Sequence, residues 1–388
     1  MLPLATSSWD EQEYQAIQRV ISSNRFTMGP EVELFEKEFA EYFGAKFCVM
    51  SNSGSSANLL SIAALIYSNR HDISPGDEVI VPAVSWSTTY YPIHQYGLKL
   101  KFVDIDPKTL NLNLDKIEEA INEKTKMVLA VNLLGNPIDY GRLVEICNRR
   151  SLILMEDNCE SMGAKFGGKF AGTFGVAGTF SSFFSHHIST MEGGMTLTDC
   201  EELYQIMISM RAHGWTRGLP LENHISKKSD DSFMESYRFI LPGYNLRPLE
   251  MSGAIGRLQL KKLESIVRCR RNNSEVFKRC FSEINGIDIQ EEVGESSWFG
   301  FAVVINNGMA RSNFVSALEG AGVEVRPIVA GNFLRNPVIE MMDHDAHGEM
   351  IVADHIHDNG LFFGNHHYEI STEIEKISEI IRKILDGE

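Results

Sequence analysis

Apolar positions recur at intervals of three and four over residues 10–22, where Tyr14, Ile17, Val20 and Ile21 share a face, and over 32–43 through Leu34, Phe35, Phe39 and Phe43. Both stretches predict amphipathic helices, parted by the Gly29-Pro30 break. From Phe47 onward the texture changes to short runs that are apolar at successive positions, at 79–84, 100–103, 127–134 and 152–155. A strand apolar on both faces must be covered on both sides, and helical patterns at 114–121 and 140–147 follow two of these runs. This alternation predicts an α/β fold built on a large, mostly parallel mixed sheet. Past Met251 a long helical stretch runs through Leu258, Leu263 and Ile266 to the basic cluster Arg268–Arg271; the apolar runs 298–305 and 323–327 then predict a smaller α+β unit. A chain of 388 residues exceeds one core, so a large domain over 1–260 and a small C-terminal domain over 261–388 are expected.

Composition narrows the partners. Apolar residues make up 43% and charged residues 23%, an ordinary globular mixture that argues against disordered or fibrous chains. With 36 basic and 52 acidic residues the formal charge is −16, which disfavours nucleic acid or an anionic membrane as main partner. The uncharged stretches 79–98 and 171–191 are broken by Gly, Ser and Thr and read poorly as membrane spans, and the first ten residues lack a secretory leader pattern. A soluble, cytoplasmic protein is expected. Six cysteines stand at 48, 147, 159, 200, 269 and 280 with no Cys-x-x-Cys pair, so reduced thiols are expected.

In a parallel sheet ligands collect beyond the carboxyl ends of the strands, so polar residues that follow apolar runs carry the information. Residues 51–58, Ser-Asn-Ser-Gly-Ser-Ser-Ala-Asn, lead into an apolar helical run; they suit a phosphate cradle or a Ser-rich helix cap. Trp86, just after the 79–84 run, suits a flat wall for a planar ligand or plain packing. The pair Glu156-Asp157 ends another run, as a site carboxylate or a helix cap. The stretch 178–195 contains Ser181, the pair His186-His187, and Glu192-Gly193-Gly194.

Taken in order, these stretches resemble a known family. With Gly29-Pro30, Ser53-Gly54-Ser55, Ala57-Asn58, the 76–82 text Gly-Asp-Glu-Val-Ile-Val-Pro, Asp104-Ile105-Asp106 and the 243–247 text Gly-Tyr-Asn-Leu-Arg, the chain is similar to the DegT/DnrJ/EryC1/StrS sugar aminotransferases. These are pyridoxal-phosphate enzymes of the aspartate aminotransferase fold. The resemblance implies that Asp157 faces the pyridinium nitrogen, Trp86 stacks on the ring, and Gly54, Ser55 and Ser181 hold the cofactor phosphate. It also implies that Asn245 reaches that phosphate across a homodimer. Glu160 stands near the ring hydroxyl, where many members carry Gln.

One position departs. Transaminating members carry the Lys that binds the cofactor covalently six residues before the Glu of Glu-Gly-Gly, and six residues before Glu192 this chain has His186. Imidazole cannot make that link but suits proton transfer near neutrality. Lys-to-His marks the deoxysugar 3-dehydratase branch, which holds pyridoxal or pyridoxamine phosphate non-covalently, and the texts at 84–91, 156–162, 185–187, 211–217 and 294–300 match it. The branch implies GDP-4-keto-6-deoxymannose as substrate, L-glutamate as amino donor, His186 as base, loss of the 3-hydroxyl, and release of ammonia and 2-oxoglutarate, as in colitose formation for O-antigen. His187 is expected as a second-layer or substrate contact, and Arg217 and Arg247 as pyrophosphate contacts. The alternatives are a sugar-nucleotide aminotransferase, which lacks its Lys here, and an iron–sulfur CDP-sugar 3-dehydratase, whose close Cys-x-Cys set is missing. No metal site is expected: His344 and His347 have ligand spacing, but no neighbouring Cys or Glu pattern completes a set.

Overall fold

The computed structural model describes residues 2–387. Eight strands form the main sheet, in the order Phe47–Ser51, Gly194–Thr198, Ala177–Ser181, Ile153–Asp157, Thr125–Val131, Glu78–Pro82, Lys99–Val103 and His344–Ala346. Pairing is parallel from His344–Ala346 through to Ala177–Ser181, and antiparallel where Gly194–Thr198 joins Ala177–Ser181 and Phe47–Ser51. The mixed, mostly parallel sheet expected from the doubly apolar runs is therefore present. Helices cover both faces. Leu60, Ile62 and Leu65 pack with Leu203, Ile206 and Met210 on one side, while Ile117, Leu143 and Ile146 pack against Ile80, Val128 and Leu154 on the other.

A second, antiparallel sheet has the order Ile287–Ile289, Gly300–Ile305, Gly360–Gly364 and Val325–Arg326. Its core gathers Phe301, Phe363, Phe314 and Ile377, together with Phe277 and Phe281 from the end of the helix Glu250–Phe281. The same helix contributes Leu260, Leu263 and Ile266 to the core beneath the main sheet, so one 32-residue helix serves both. Residue 260 lies inside it. Leu2 joins the second core, and the strand His344–Ala346 extends the main sheet.

The start of that helix also organises the N-terminal region. Helix Pro30–Phe43 begins at Gly29 with no side-chain cap of its own, and Glu250 caps it from across the fold. Its buried carboxylate accepts the N–H groups of Gly29 at 2.5 Å, Glu31 at 2.8 Å and Val32 at 3.4 Å. These are amides that the first helical turn cannot satisfy, at the end where a negative charge is favoured.

Two differences from the sequence reading bear on the site. The run 127–134 does not stay extended: the strand ends at Val131, and Leu134 turns into the left-handed region at φ 53°. Two amides from the second sheet's approach take the freed carbonyls, Phe299 N–H donating to Leu134 O at 2.9 Å and Ser297 N–H to Gly135 O at 2.9 Å. A helix, Ser87–Gln95, also forms through Thr88, Thr89 and Pro92, residues with poor local helix preference. Packing of Tyr90 and Ile93 in the core decides it.

Glu250→Ala leaves three helix-start amides without an acceptor and is expected to lower unfolding free energy by about 1–3 kcal/mol. Urea denaturation should show a reduced midpoint with an unchanged slope; an unchanged midpoint counts against the cap.

Candidate active site

A cavity of about 440 Å³ opens beyond the carboxyl ends of the central strands, and Gly54, Ser55, Trp86, Asp157, Glu160, Ser181 and His186 all line it. Its floor is the start of helix Gly54–Tyr67. The Ser53 hydroxyl accepts the Ser56 N–H at 3.0 Å, and the first two amides, of Gly54 and Ser55, have no acceptor within their helix. Gly54 is needed for space: a Cβ there would lie 2.6 Å from Ser181 Cβ and 2.9 Å from Cys159 Sγ. The Ser55 hydroxyl donates to Thr88 Oγ1 at 2.9 Å, and Ser181 Oγ accepts the Phe183 N–H at 3.2 Å. Free amides, hydroxyls and a dipole's positive end form an anion cradle.

The two carboxylates at the end of Ile153–Asp157 part because successive side chains of a strand face opposite ways. Glu156 turns away and accepts the amides of Gly172, Phe174 and Gly175, each at 2.6 Å, in full burial that pushes its carboxyl above the usual range. Asp157 turns to the cavity. Its Oδ2 accepts from Asn58 Nδ2 at 2.8 Å and Thr89 Oγ1 at 2.9 Å, and its Oδ1 from the Cys159 N–H at 3.1 Å. Asn58 is in turn held by Thr179 at 2.6 Å and Thr89 by Ser85 at 2.8 Å. Every donor to Asp157 is neutral, which leaves its charge for a cation in the cavity.

Glu160 Oε2 accepts the Leu134 N–H at 2.9 Å. Burial raises its carboxyl to about 7, against the opposing Leu134 hydrogen bond and with a smaller contribution from Asp157. The His186 ring is wedged between Phe183, 5.9 Å away between centroids, and Phe299, 5.3 Å away. Its Nδ1 is sealed from solvent without a well-formed hydrogen bond, and the residue lines the cavity. Burial lowers its pKa to about 4, the Phe183 carbonyl opposing and Arg270 reinforcing the shift. The imidazole is thus a neutral base at physiological pH rather than a group poised at 6.5.

Four expected residues lie elsewhere. His187 is 1% exposed and sits behind the cavity, its Nε2 3.1 Å from Ser297 O. Arg217 stacks over Trp215, its guanidinium 5.2 Å from the ring. Arg247 donates to Asn245 Oδ1 at 3.0 Å, and neither they nor Asn245 line this chain's own cavity. The cationic side chain that does line it is Arg326, which the sequence reading passed over although it lies in the 323–327 run. Asn58, Ser85 and Thr89 stand in the 51–58 and 84–91 texts, and Phe299 in the 294–300 text, but no individual role was expected of them; the structure sets the first three around Asp157 and Phe299 beside His186.

Comparison with known proteins matches residues 7–384 to the model of the DegT/DnrJ/EryC1/StrS aminotransferase family. The chain belongs to this family. It is 57% identical over 385 residues, 98% of each chain, to GDP-4-keto-6-deoxy-D-mannose 3-dehydratase of Yersinia pseudotuberculosis. Among solved structures, GDP-4-keto-6-deoxymannose-3-dehydratase with a trapped PLP-glutamate geminal diamine superposes with a TM-score of 0.96 at 53% identity, over 98% of this chain and 100% of that one. A His-to-Asn mutant of such an enzyme with bound GDP-perosamine matches equally, with a TM-score of 0.96, 53% identity and the same coverage.

The residues present fit pyridoxal phosphate: the helix-start amides at Gly54 and Ser55 with the Ser55 and Ser181 hydroxyls suit its phosphate, the Asp157 carboxylate its ring nitrogen, and exposed Trp86 its flat face. Among the described residues no three His, Cys, Asp or Glu side chains gather to hold a metal, and no helix is long and apolar enough to cross a membrane.

Gly54→Ala should weaken cofactor binding about tenfold or more, read by absorbance titration, since its methyl group would press on Ser181 and Cys159 and displace the cradle's own side chains; undiminished affinity places the phosphate elsewhere. Glu160 titrates higher in the fold than its ordinary 4.5, so its ionisation costs stability progressively as pH rises from about 4.5 to about 7. Glu160→Gln should flatten the pH 5 to 8 stability profile; an unaltered profile means the carboxyl is not raised.

Proposed function

We propose that the chain is a pyridoxal-phosphate-dependent 3-dehydratase of GDP-4-keto-6-deoxymannose, with L-glutamate as amino donor and ammonia and 2-oxoglutarate as co-products. The observation that carries this reading is His186 lining the cavity opposite a charge-retaining Asp157, at the place where transaminating relatives bind the cofactor through Lys. When bound, the cofactor supplies the amino group and an electron sink. The protein's part is to hold and to move protons. Asp157 would hold the ring nitrogen protonated, because the three groups that donate to its oxygens are neutral and leave it free to pair with that nitrogen. Gly54, Ser55 and Ser181 anchor the phosphate, and Trp86 covers the ring. Neutral His186 takes the proton at a ring nitrogen and can return it to the departing 3-hydroxyl, which ties base and acid to one ring.

Arg326, with its Nη1 on Val325 O at 2.9 Å and its other arm paired to Glu324, supports a role in holding the nucleotide diphosphate or the glutamate carboxylate. Exposed Trp86 and Phe183, which both line the cavity, support a homodimer in which Asn245 of the partner subunit completes the phosphate site. The protein would act in the cytoplasm, where nucleotide sugars are made. The division into units is best drawn discontinuously: the small unit takes the first residues and the chain from about residue 270, less the strand His344–Ala346. The spacing of the six cysteines, with no Cys-x-Cys pair, favours a cluster-free reaction over the iron–sulfur alternative.

His186→Asn should retain cofactor affinity within about threefold while lowering 3-deoxygenation by about a thousandfold or more. Incubation with GDP-4-keto-6-deoxymannose, pyridoxal phosphate and glutamate, with ammonia and the 3-deoxy sugar quantified, checks this; substantial dehydration by the variant removes His186 from the role. A parallel CDP-sugar reaction tests the nucleotide.

A further inference from the structure

Behind the candidate base lies a buried cation without an anion. Arg270, on the helix Glu250–Phe281, is 6% exposed, and no carboxylate among the described residues forms a salt bridge with it. Its Nη1 instead donates to three backbone carbonyls, of Phe299 at 2.9 Å, Asn365 at 2.8 Å and Trp298 at 3.5 Å, while its Nε has no partner. A buried charge paired only with dipoles is costly and calls for a return on that cost.

The geometry of Phe299 shows where the return lies. Its N–H is fixed on Leu134 O and its C=O on Arg270, so the residue is clamped at both ends of its backbone. Its ring then packs 5.3 Å from that of His186 and 5.8 Å from that of His187. Leu134, at the other end of the clamp, also donates to Glu160. One chain of contacts therefore runs from Glu160 through Leu134 and Phe299 to Arg270, with the His186 imidazole resting on it.

We propose that Arg270 is a positioning residue for His186: through its hydrogen bond to the Phe299 carbonyl it fixes the wall against which the imidazole rests, and it sets a buried cation behind the ring. The inference rests on His186 being the base. Charged groups share the surroundings of the ring from every side. Asp157, Glu160 and Glu192 line the cavity along with Arg326, and Arg271 faces His187 from the same helix as Arg270. Of these, Arg270 acts on both rings from the buried side, where water does not screen it, and its field disfavours protonation of each. Burial is the main cause of the shift that favours the free base, and the field of Arg270 adds to it.

The test is an NMR pH titration of selectively labelled histidines in the full chain, with His186→Asn assigning the resonance, beside a pH profile of kcat. In Arg270→Gln the His186 titration should rise by about one pH unit, and the acid limb of kcat should move to higher pH with it, with KM within about twofold. Arg270→Met, similar in length and without charge, serves if the Gln variant does not fold. Arg270→Lys, whose ammonium can still donate to three carbonyls, should keep the native titration and restore kcat to within about threefold. A His186 titration that stays in place in a folded, uncharged variant overturns the proposal. A titration that moves while the acid limb stays upholds the field of Arg270 and instead removes His186 from the role of base.

Discussion

A carboxylate that must stay charged inside a protein sets the terms for the rest of this structure. Asp157 ends a central strand of the sheet, and three neutral donors hold its two oxygens without cancelling its charge. Each donor needs its own support: Asn58 comes from the cradle helix itself and is oriented by Thr179, and Thr89 comes from a helix that runs through Pro92 and is oriented by Ser85. Two layers of polar residues and the parallel register of the strands thus serve one oxygen pair. Since a half-satisfied polar network in a core costs more than an apolar one, the completeness of this arrangement is what makes the buried charge tolerable.

The other wall of the cavity follows the opposite rule. There burial disfavours charge, driving the His186 imidazole down and the Glu160 carboxyl up. One cavity therefore holds an anion and a neutral base a short way apart, because donors converge on one and aromatic rings enclose the other. The two walls come from different parts of the chain. Anion and cradle belong to the main sheet, whereas Phe299 and Arg270 arrive with the second sheet and the last turns of the long helix. A helix that spans both cores gives the two walls a common support.

Much of this was legible in the sequence. The doubly apolar runs announced a covered parallel sheet, the Ser-Gly-Ser text a helix-start cradle, and the spacing from His186 to Glu192 the loss of a lysine. Strands at 47–51, 177–181 and 194–198 were harder to see. They are rich in Ser, Thr, Gly and Met, and their pairing partners rather than their own preferences make them extended. Arg217 and Arg247 were attractive as anion contacts because they are charged and near recognisable motifs, yet one covers a Trp and the other a neighbouring Asn.

What the sequence determined by itself is local chemistry in linear order: which residue types follow each strand, and that a histidine stands where an amine is usual. The resemblance already singled out Asp157 and His186; only the tertiary structure decided where Glu156 and His187 turn instead, and which arginine lies behind the cavity. Those choices depend on the facing of alternate residues along a strand and on the meeting of segments more than a hundred positions apart, such as Ser297 with His187. Neither facing nor meeting is written in the identity of neighbours, because both are set by which surfaces the whole chain must bury at once.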